Sequence, residues 1–273
     1  MIVFRSRGAL FGECWYEEAP SSLEPPIDVL ALRKRRAAVA GARCDALLTI
    51  ASDLTLDEAT LFGRLSSACR SKVRRAERRD QLELEFDALP HRRLPEFRAC
   101  YDGFAAQIGL QPADPEWLLA ACDAQQLVLA TAASRHGEPL VWHAYVVSPD
   151  AVCLHFSVAR FRGLPDSERA RVGRANRWLH WQCMLRFREL GKHRFDFGGL
   201  FEHERSAEQS GINRFKREFG GCEERAYDCL LPMTLKGSVR LQLKRLGDGV
   251  RALSALRPRP RQRETESPAG SSA

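Results

Sequence analysis

Three apolar runs separated by short turns constrain the fold more than any other part of this sequence. The runs cover residues 127–133, 140–147 and 152–158. The two connections contain Gly137 with Pro139 and Pro149 with Asp150, which are residues typical of tight turns. Short connections of this kind join neighbouring antiparallel strands, so the sequence predicts a three-stranded meander here.

Helix and strand patterns alternate after the meander. Helices are predicted over residues 175–190 and 206–219, and strands over residues 194–197 and 225–231. Glycines follow both predicted helices, as is common at helix ends. This order predicts an α/β (α+β) fold in which a mixed, mostly antiparallel sheet carries helices on both faces.

The rest of the chain divides into three further parts. Residues 1–90 are predicted to form an N-terminal half, with a buried strand at 46–50 and a basic helix at 66–79. The main domain is then expected over residues 91–233. Residues 234–256 alternate apolar and basic side chains at helical spacing, which predicts an amphipathic basic helix. Residues 257–273 are polar and rich in proline and arginine, so a disordered tail is expected.

Charge and cysteine content narrow the class of partner and compartment. The formal net charge is +7 and the pI is about 9.1, which favours an anionic partner: nucleic acid, an acidic membrane surface or a phosphate-bearing cofactor. The nine cysteines form no C-x-x-C pair, so reduced, buried thiols are expected rather than disulfides or a metal site. With charges near the start and no long apolar run, the chain is expected in the cytoplasm. Residues 234–256 could lie at the inner membrane face; the alternative is that they pack back on the domain.

Four segments in order resemble a known family. They are SKVRRA, GRANRWLHW, FDFGG and INRFKREFGG, at residues 71–76, 173–181, 195–199 and 212–221. Together they resemble the FemAB-like branch of the GNAT (N-acetyltransferase-like) superfamily, over roughly residues 45–232. This branch includes peptidoglycan peptidyltransferases and acetyltransferase-like proteins of bacterial envelope and polysaccharide operons. The resemblance implies a GNAT-like fold preceded by a truncated N-terminal half.

The resemblance also implies an acyl donor, for which acyl-coenzyme A is the expected co-substrate. GNAT-type enzymes bind its pyrophosphate on free N–H groups at a helix N-terminus. The segment that matches this signature contains Ala170 where the family has Gln or Arg, a departure for which neighbouring arginines could compensate. The alternative is a basic loop before a core helix. The candidate cofactor-binding residues are Arg171, Gly173, Arg174, Ala175 and Asn176.

Lys216 is the leading catalytic candidate. In similar transferases the lysine of the Phe215-Lys216 pair lies near the reacting carbonyl, where a fixed ammonium would stabilise the oxyanion of a tetrahedral intermediate. Phe215 is then expected to contact substrate. The alternative is a solvated helix lysine, since Arg214 and Arg217 on either side are also cationic.

Two further residues are candidates for moving the proton of the acceptor amine. Asp196 precedes two glycines at the end of a predicted strand and could accept a proton. The alternative is that its carboxylate caps the following turn. His143 lies within an apolar strand and could act as a base. The alternative is a hydrogen-bonded core histidine.

The basic helix supplies candidate substrate-binding residues. Arg70 and Arg74 are four residues apart, with Arg75 beside them, so they lie on one side of the helix. They are predicted to bind phosphate groups. The alternative is a solvated charged face. The sequence predicts no metal site.

The function expected from these features is N-acyl transfer to an amine on a small molecule, sugar or peptide, in envelope or polysaccharide biosynthesis. The amine would attack an activated carbonyl without a covalent enzyme intermediate. One alternative is an aminoacyl-tRNA-dependent peptidyltransferase of the FemAB type. A second is a nucleic-acid-binding module that uses the basic helix without catalysis.

Overall fold

The computed structural model describes residues 1–20, 26–161 and 163–243. The strands in these ranges are β1 Ile2–Ser6, β2 Ala9–Trp15, β3 Val29–Arg35, β4 Arg43–Asp53, β5 Leu82–Asp87, β6 Leu127–Ser134, β7 Pro139–Val147, β8 Ala151–Ala159, β9 Arg194–Leu200 and β10 Cys222–Pro232. The α-helices are α1 Glu58–Arg64, α2 Ser67–Arg75, α3 Leu94–Ile108, α4 Pro115–Asp123, α5 Asp166–Glu189 and α6 Ala207–Arg217. A π-helical turn, Ala76–Asp80, extends α2, and a short 3₁₀ turn, Pro90–Arg93, precedes α3.

All ten strands form one sheet in the order β1-β2-β3-β10-β4-β9-β8-β7-β6-β5. Neighbours run antiparallel except for the β2–β3 and β8–β9 pairs, which are parallel. The predicted meander is β6, β7 and β8, paired as expected. The prediction of a mixed, mostly antiparallel sheet is confirmed.

Helices cover both faces of the sheet. On one face α1, α2 and α5 bury a core that includes Val73, Leu179 and Phe195. On the other face α3 and α4 bury a second core around Phe97 and Trp142. Successive residues of a strand point to opposite faces, so each strand between the two cores contributes to both of them.

The N-terminal segment is part of the same sheet. The sequence patterns did not predict β1, β2 and β3, which extend the sheet beyond β10. The predicted strand at residues 46–50 belongs to β4, which lies between β9 and β10. The sheet therefore contains strands from both sides of the domain boundary expected near residue 90.

The described part of the predicted C-terminal helix begins against β3. Residues 235–243 are helical. The Thr234 hydroxyl donates to Asp28 at 2.8 Å, and Lys236 forms an ion pair with the same carboxylate at 3.3 Å. Residues 244–256 and the predicted tail at 257–273 lie outside the described residues. Within the described ranges, no helix is long and apolar enough to cross a bilayer.

One expectation about the cysteines is wrong. Cys44 on β4 and Cys229 on β10 face each other in the antiparallel register and are joined by a disulfide. They are 185 residues apart in sequence, so no local spacing indicates that they meet. The other seven cysteines are free, and most are buried as expected.

The two glycines after α6 allow the chain to approach its neighbours closely. Gly220 has φ +70°, and a Cβ there would overlap the carbonyl of Arg64. A Cβ on Gly221 would lie 2.7 Å from the carbonyl oxygen of Ala51. The approach fixes the end of α6 and the start of β10 against α1 and β4.

We expect Gly220→Ala to lower the free energy of unfolding by about 2–5 kcal/mol, because it combines a left-handed backbone with a backbone overlap. Gly211→Ala is the matched control, since Gly211 lies within α6 and has no neighbour within 4 Å of an added Cβ. That change should stabilise by about 0.5–1 kcal/mol. Urea denaturation of both variants measures the difference, and equal effects would contradict this account of Gly220.

Candidate functional site

The sheet opens where β8 and β9 diverge. These parallel strands pair only from Ala151 with Arg194 to Cys153 with Asp196, although both continue further. Gly198 has φ +81°, and a Cβ there would lie 3.1 Å from the carbonyl oxygen of Leu154. Because glycine has no Cβ, β9 can pass close to the backbone of β8 at Leu154 just before the two strands separate. We call the opening beyond Leu154 and Gly198 the β8–β9 gap.

Helix α6 places Lys216 at the β8–β9 gap. The Lys216 ammonium donates to the carbonyl oxygen of Gly199 at 2.6 Å and lies next to Gly198. Burial lowers the pKa of Lys216 to about 8, although the nearby Asp196 carboxylate opposes this effect. An ammonium has three protons to donate, so the bond to Gly199 leaves others for a ligand. Lys216 is therefore a partly desolvated cation beside an opening in the sheet.

Asn213 and Arg177 hold α6 in this position. Asn213 is buried; its side chain accepts from the Phe201 amide at 3.0 Å and donates to the Phe201 carbonyl at 2.9 Å. From α5, Arg177 forms an ion pair with Glu218 at 2.6 Å and covers the Phe215 ring at 4.8 Å. Phe215 packs against the core in this arrangement, so its predicted contact with substrate stays a prediction.

Asp196 is buried beneath the gap. Its carboxylate accepts hydrogen bonds from Thr49 at 2.5 Å and from the Gly198 amide at 2.8 Å, and it lies 3.4 Å from Arg194. These bonds hold the turn of β9 that presents Gly199 to Lys216. The carboxylate is fully buried, so the arrangement favours a positioning role over direct proton transfer with an acceptor.

The structure places His143 as a hydrogen-bonded core histidine, the alternative to its assignment as a base. The side chain is fully buried, and both ring nitrogens make hydrogen bonds, to Tyr145 at 2.8 Å and Asn176 at 2.9 Å. Burial lowers the pKa of His143 to about 3. The imidazole is a neutral core group whose role is to join β7 to α5.

His155 was not among the predicted site residues. It lies on β8, two residues after Cys153, at the side of the β8–β9 gap. Its ring rests on Trp117 and Phe156, with centroids 4.6 and 4.3 Å apart, and burial lowers the pKa of this imidazole to about 4. Alternation along β8 does not indicate this position, because the β7–β8 register shifts between Leu154 and Phe156. The partner strand of β8 could not be read from sequence either.

The predicted cofactor segment does not lie at a helix N-terminus. Helix α5 begins at Asp166, so Gly173 lies inside it, and the N–H groups there are committed to the helix. Ala175 and Asn176 face the core. Arg174 makes a bidentate ion pair with Asp80, at 2.6 and 2.7 Å, and Arg171 donates to the Asp80 carbonyl at 3.3 Å. The prediction that this segment binds a pyrophosphate at a helix N-terminus is therefore wrong.

The structure instead brings predicted cofactor-binding residues of α5 next to the predicted phosphate-binding arginines of α2, in one surface depression. Helices α2 and α5 pack together, and a cleft between them of about 330 Å³ is lined by Ser71, Lys72, Arg75, Ala170, Gly173, Arg174 and Arg177. We call it the basic cleft. It adjoins a wider surface that includes Arg70 and Arg74. Arg70 donates to the carbonyls of Gly63 and Leu65, and Arg74 covers Phe62. Lys72 and Arg75 have no side-chain partner within the described residues.

A second cavity, of about 470 Å³, lies at the paired start of β8 and β9, where Ala151 is opposite Arg194. Its wall includes Tyr16, Lys34, Arg36, Asp150 and Arg194, and we call it the mixed-charge cavity because acids and cations both line it. Tyr16 and Lys34 both have φ +56°, a conformation that is strained for such residues and that often occurs at functional sites. The sequence patterns gave no indication of this cavity.

No group of three or more metal-ligating side chains occurs in the part of the chain that the structure describes.

Solved structures of similar fold include two with TM-scores above 0.5. One is the crystal structure of FemX, with 14% identity and a TM-score of 0.55, over 67% of this chain and 61% of FemX. The other is the C-terminal domain of a protein described as a lysylphosphatidylglycerol synthetase from Agrobacterium fabrum, with 19% identity and a TM-score of 0.53, over 78% of this chain and 70% of that domain. No protein-family model matches the sequence, and no curated protein sequence is similar to it.

The comparison establishes the architecture. The chain shares the fold of FemX and of that C-terminal domain, in agreement with the FemAB-like resemblance of its four sequence segments. It matches less than two thirds of the FemX chain, so the whole activity of that protein does not transfer with the fold.

Proposed function

We propose that this protein transfers an acyl group from an activated donor to an amine acceptor in the β8–β9 gap. The observation that carries the proposal is the partly desolvated Lys216 ammonium, held beside the gap by α6 and hydrogen-bonded to Gly199. The solved structures of FemX and of the lysylphosphatidylglycerol synthetase domain support it at the level of fold. Envelope or polysaccharide biosynthesis is the proposed setting.

The chemistry needs no covalent enzyme intermediate. The acceptor nitrogen attacks the donor carbonyl, and the oxygen of the tetrahedral intermediate becomes negative. Lys216 stabilises that oxyanion, which is the role in which a fixed cation contributes most. Collapse expels the leaving group of the donor, a thiolate or a ribose hydroxyl, which takes up a proton. The nitrogen loses its proton to water.

The donor is proposed to be an acyl-coenzyme A, with its phosphates in the basic cleft. Among the described residues, Lys72 and Arg75 are the cations of the cleft that make no side-chain contact with an acid, while Arg174 and Arg177 are held by acids. Phosphate oxygens form strong charge-assisted hydrogen bonds with such groups. The cleft takes the place of the helix N-terminus that the sequence suggested.

The wider arginine surface favours a second candidate donor, an aminoacyl-tRNA. Arg70, Arg74, Arg75, Arg78 and Arg79 line one continuous depression next to the basic cleft. A row of cations of this length suits a polyphosphate backbone better than one pyrophosphate. A nucleic-acid-binding protein without catalytic activity would use the same surface, but that function would not explain the position of Lys216 at the gap.

An acidic membrane surface is a further proposed partner. Leu235, Val239 and Leu243 recur every four residues on one side of the C-terminal helix, and they are 89%, 54% and 58% exposed. An apolar stripe on a basic helix is typical of binding at an anionic bilayer.

Lys216→Ala should lower kcat by about 10²–10³-fold with little loss of stability, since the ammonium acts mainly in the transition state. Lys216→Arg should restore little activity, because a planar guanidinium replaces a positioned point charge poorly. Steady-state kinetics with acyl-coenzyme A and with aminoacyl-tRNA, with melting curves of each variant, measure this. Full activity of Lys216→Ala would remove the catalytic assignment.

The pH dependence gives an independent check on the same residue. The pKa of Lys216 is lowered to about 8, so its cationic fraction falls as the pH rises through that value. The rate that depends on Lys216 should therefore decline above about pH 8 in the wild type. Residual activity of Lys216→Arg should lack this decline, because arginine stays charged.

For the donor, we expect Arg75→Ala to raise its KM by about 10- to 100-fold and leave kcat nearly unchanged, since a lost charge-assisted contact is worth about 1.5–3 kcal/mol. Arg92→Ala, at an exposed arginine remote from the cleft, is the control. If tRNA is the donor, the slope of its log binding constant against log salt concentration should also fall by about one, as expected for the loss of one phosphate contact. Equal effects of both substitutions would exclude the cleft as the donor site.

Co-sedimentation with vesicles tests the proposed membrane partner. It compares vesicles that contain phosphatidylglycerol with vesicles of phosphatidylcholine alone. We expect binding to the anionic vesicles alone, and its loss when Leu235, Val239 and Leu243 are all changed to Ser. Equal binding to both vesicles, or none, would reject this partner.

A further inference from the structure

The mixed-charge cavity lies on the face of the sheet opposite the basic cleft. Phe195 and Phe197 of β9 pack into the core beneath α5. The alternate residues Arg194 and Asp196 therefore point to the other face, and Arg194 lines the cavity. A donor held in the basic cleft and a ligand in the mixed-charge cavity would approach the sheet from opposite sides.

Short contacts connect the cavity wall to the β8–β9 gap. Arg194 lies 3.4 Å from the Asp196 carboxylate, which in turn accepts from the Gly198 amide at 2.8 Å. Gly198 adjoins the Lys216 ammonium. Lys34 also lies close enough for its charge to lower the pKa of Lys216. A ligand in the cavity is thus within a few residues of the group that would stabilise the oxyanion.

The acids of the cavity already have partners. Glu17 pairs with Arg35 at 3.0 Å, and Glu224 pairs with Arg194 at 2.8 Å. Glu18 pairs with the N-terminal ammonium at 3.2 Å. Asp150 faces His193 at 3.9 Å, the longest of these contacts.

Two cations remain once those acids are paired. The Lys34 and Arg36 side chains make no hydrogen bond or ion pair within residues 1–20, 26–161 and 163–243. Lys34 is half-buried and Arg36 lies exposed at the rim. A half-buried cation without a partner is costly, and an anionic ligand group would remove that cost.

We propose that the mixed-charge cavity binds the acceptor, and that the acceptor is an amine that also carries an anionic group, a carboxylate or a phosphate, bound by Lys34. The ligand is called an acceptor because of the proposed acyl transfer, and this part of the inference rests on that function. The binding of an anionic amine in the cavity does not depend on it. A volume of about 470 Å³ suits a small molecule or the end of a larger one. The reacting nitrogen would then extend past Tyr16 and Arg194 to the gap.

The left-handed backbone at Lys34 determines the variants for the test. Lys34→Asn removes the charge with a residue that tolerates φ +56°, and Lys34→Arg keeps the charge. Arg43→Ala, at an exposed arginine of β4 outside the cavity, is the control. Melting curves verify that each variant folds.

The experiment compares two pairs of probes by NMR titration of the full chain without donor. The pairs are phosphoethanolamine with ethanolamine, and β-alanine with β-alaninamide. We expect the anionic member of at least one pair to bind at least about tenfold more tightly, with shifts at the amides of Tyr16, Ala151 and Arg194. Lys34→Asn should abolish the preference, and Lys34→Arg and Arg43→Ala should retain it. The two pairs distinguish phosphate from carboxylate.

Several outcomes would overturn the proposal: no binding of any probe, equal binding within both pairs, or a preference that survives Lys34→Asn. Failure here is separable from failure of acyl transfer. If Lys216-dependent turnover exists but the probes show no preference, only the acceptor class is wrong. If the preference exists but Lys216→Ala keeps full activity, the cavity stands as a ligand site and the catalytic role of Lys216 falls.

Discussion

The early end of the β8–β9 pairing is the constraint on which the rest of the site depends. Two parallel strands in the middle of a ten-stranded sheet would normally continue their hydrogen bonds, but here the ladder stops at Cys153 and Asp196. Gly198 then takes a left-handed conformation and crosses close to Leu154. Asp196 stabilises this turn from below by accepting from the Gly198 amide. The carbonyl of Gly199 is thereby left free of β8 and available to Lys216.

The electrostatics of Lys216 follow from that geometry. Removing water from an ammonium favours its neutral form, whereas a nearby carboxylate favours the charged form. Desolvation is the larger effect here, so the pKa falls, but only to about 8. The group therefore remains mostly charged at neutral pH while lacking full hydration. A cation in that state gains more from a new negative charge than a hydrated surface lysine does, which is the physical basis for assigning Lys216 to the oxyanion.

The sequence predicted the elements whose signals are local. The meander β6–β8 was identified from its apolar runs and turn residues, and helix α6 from its pattern and the glycines that follow it. The motif FDFGG correctly marked β9. The start of α5 was missed because its first two turns, Asp166 to Gly173, are polar and arginine-rich, which resembles a loop. Strands β1 to β3 were missed because charged residues interrupt their short apolar runs. The mixed-charge cavity could not be predicted, since its walls come from segments as distant as Tyr16 and Arg225.

Long-range pairing also decides what the arginines of this basic chain do. Two on α5, Arg174 and Arg177, are held by Asp80 and Glu218, so they fix the π-helical turn after α2 and the end of α6. Their acid partners are 94 and 41 residues away along the chain, which no periodicity argument reveals. Because these two arginines are already neutralised, the charge available to a ligand in the basic cleft comes from Lys72 and Arg75 on the facing helix. A surplus of positive charge indicates an anionic partner, but only the pairing in the fold tells which cations hold the protein together and which remain to bind that partner.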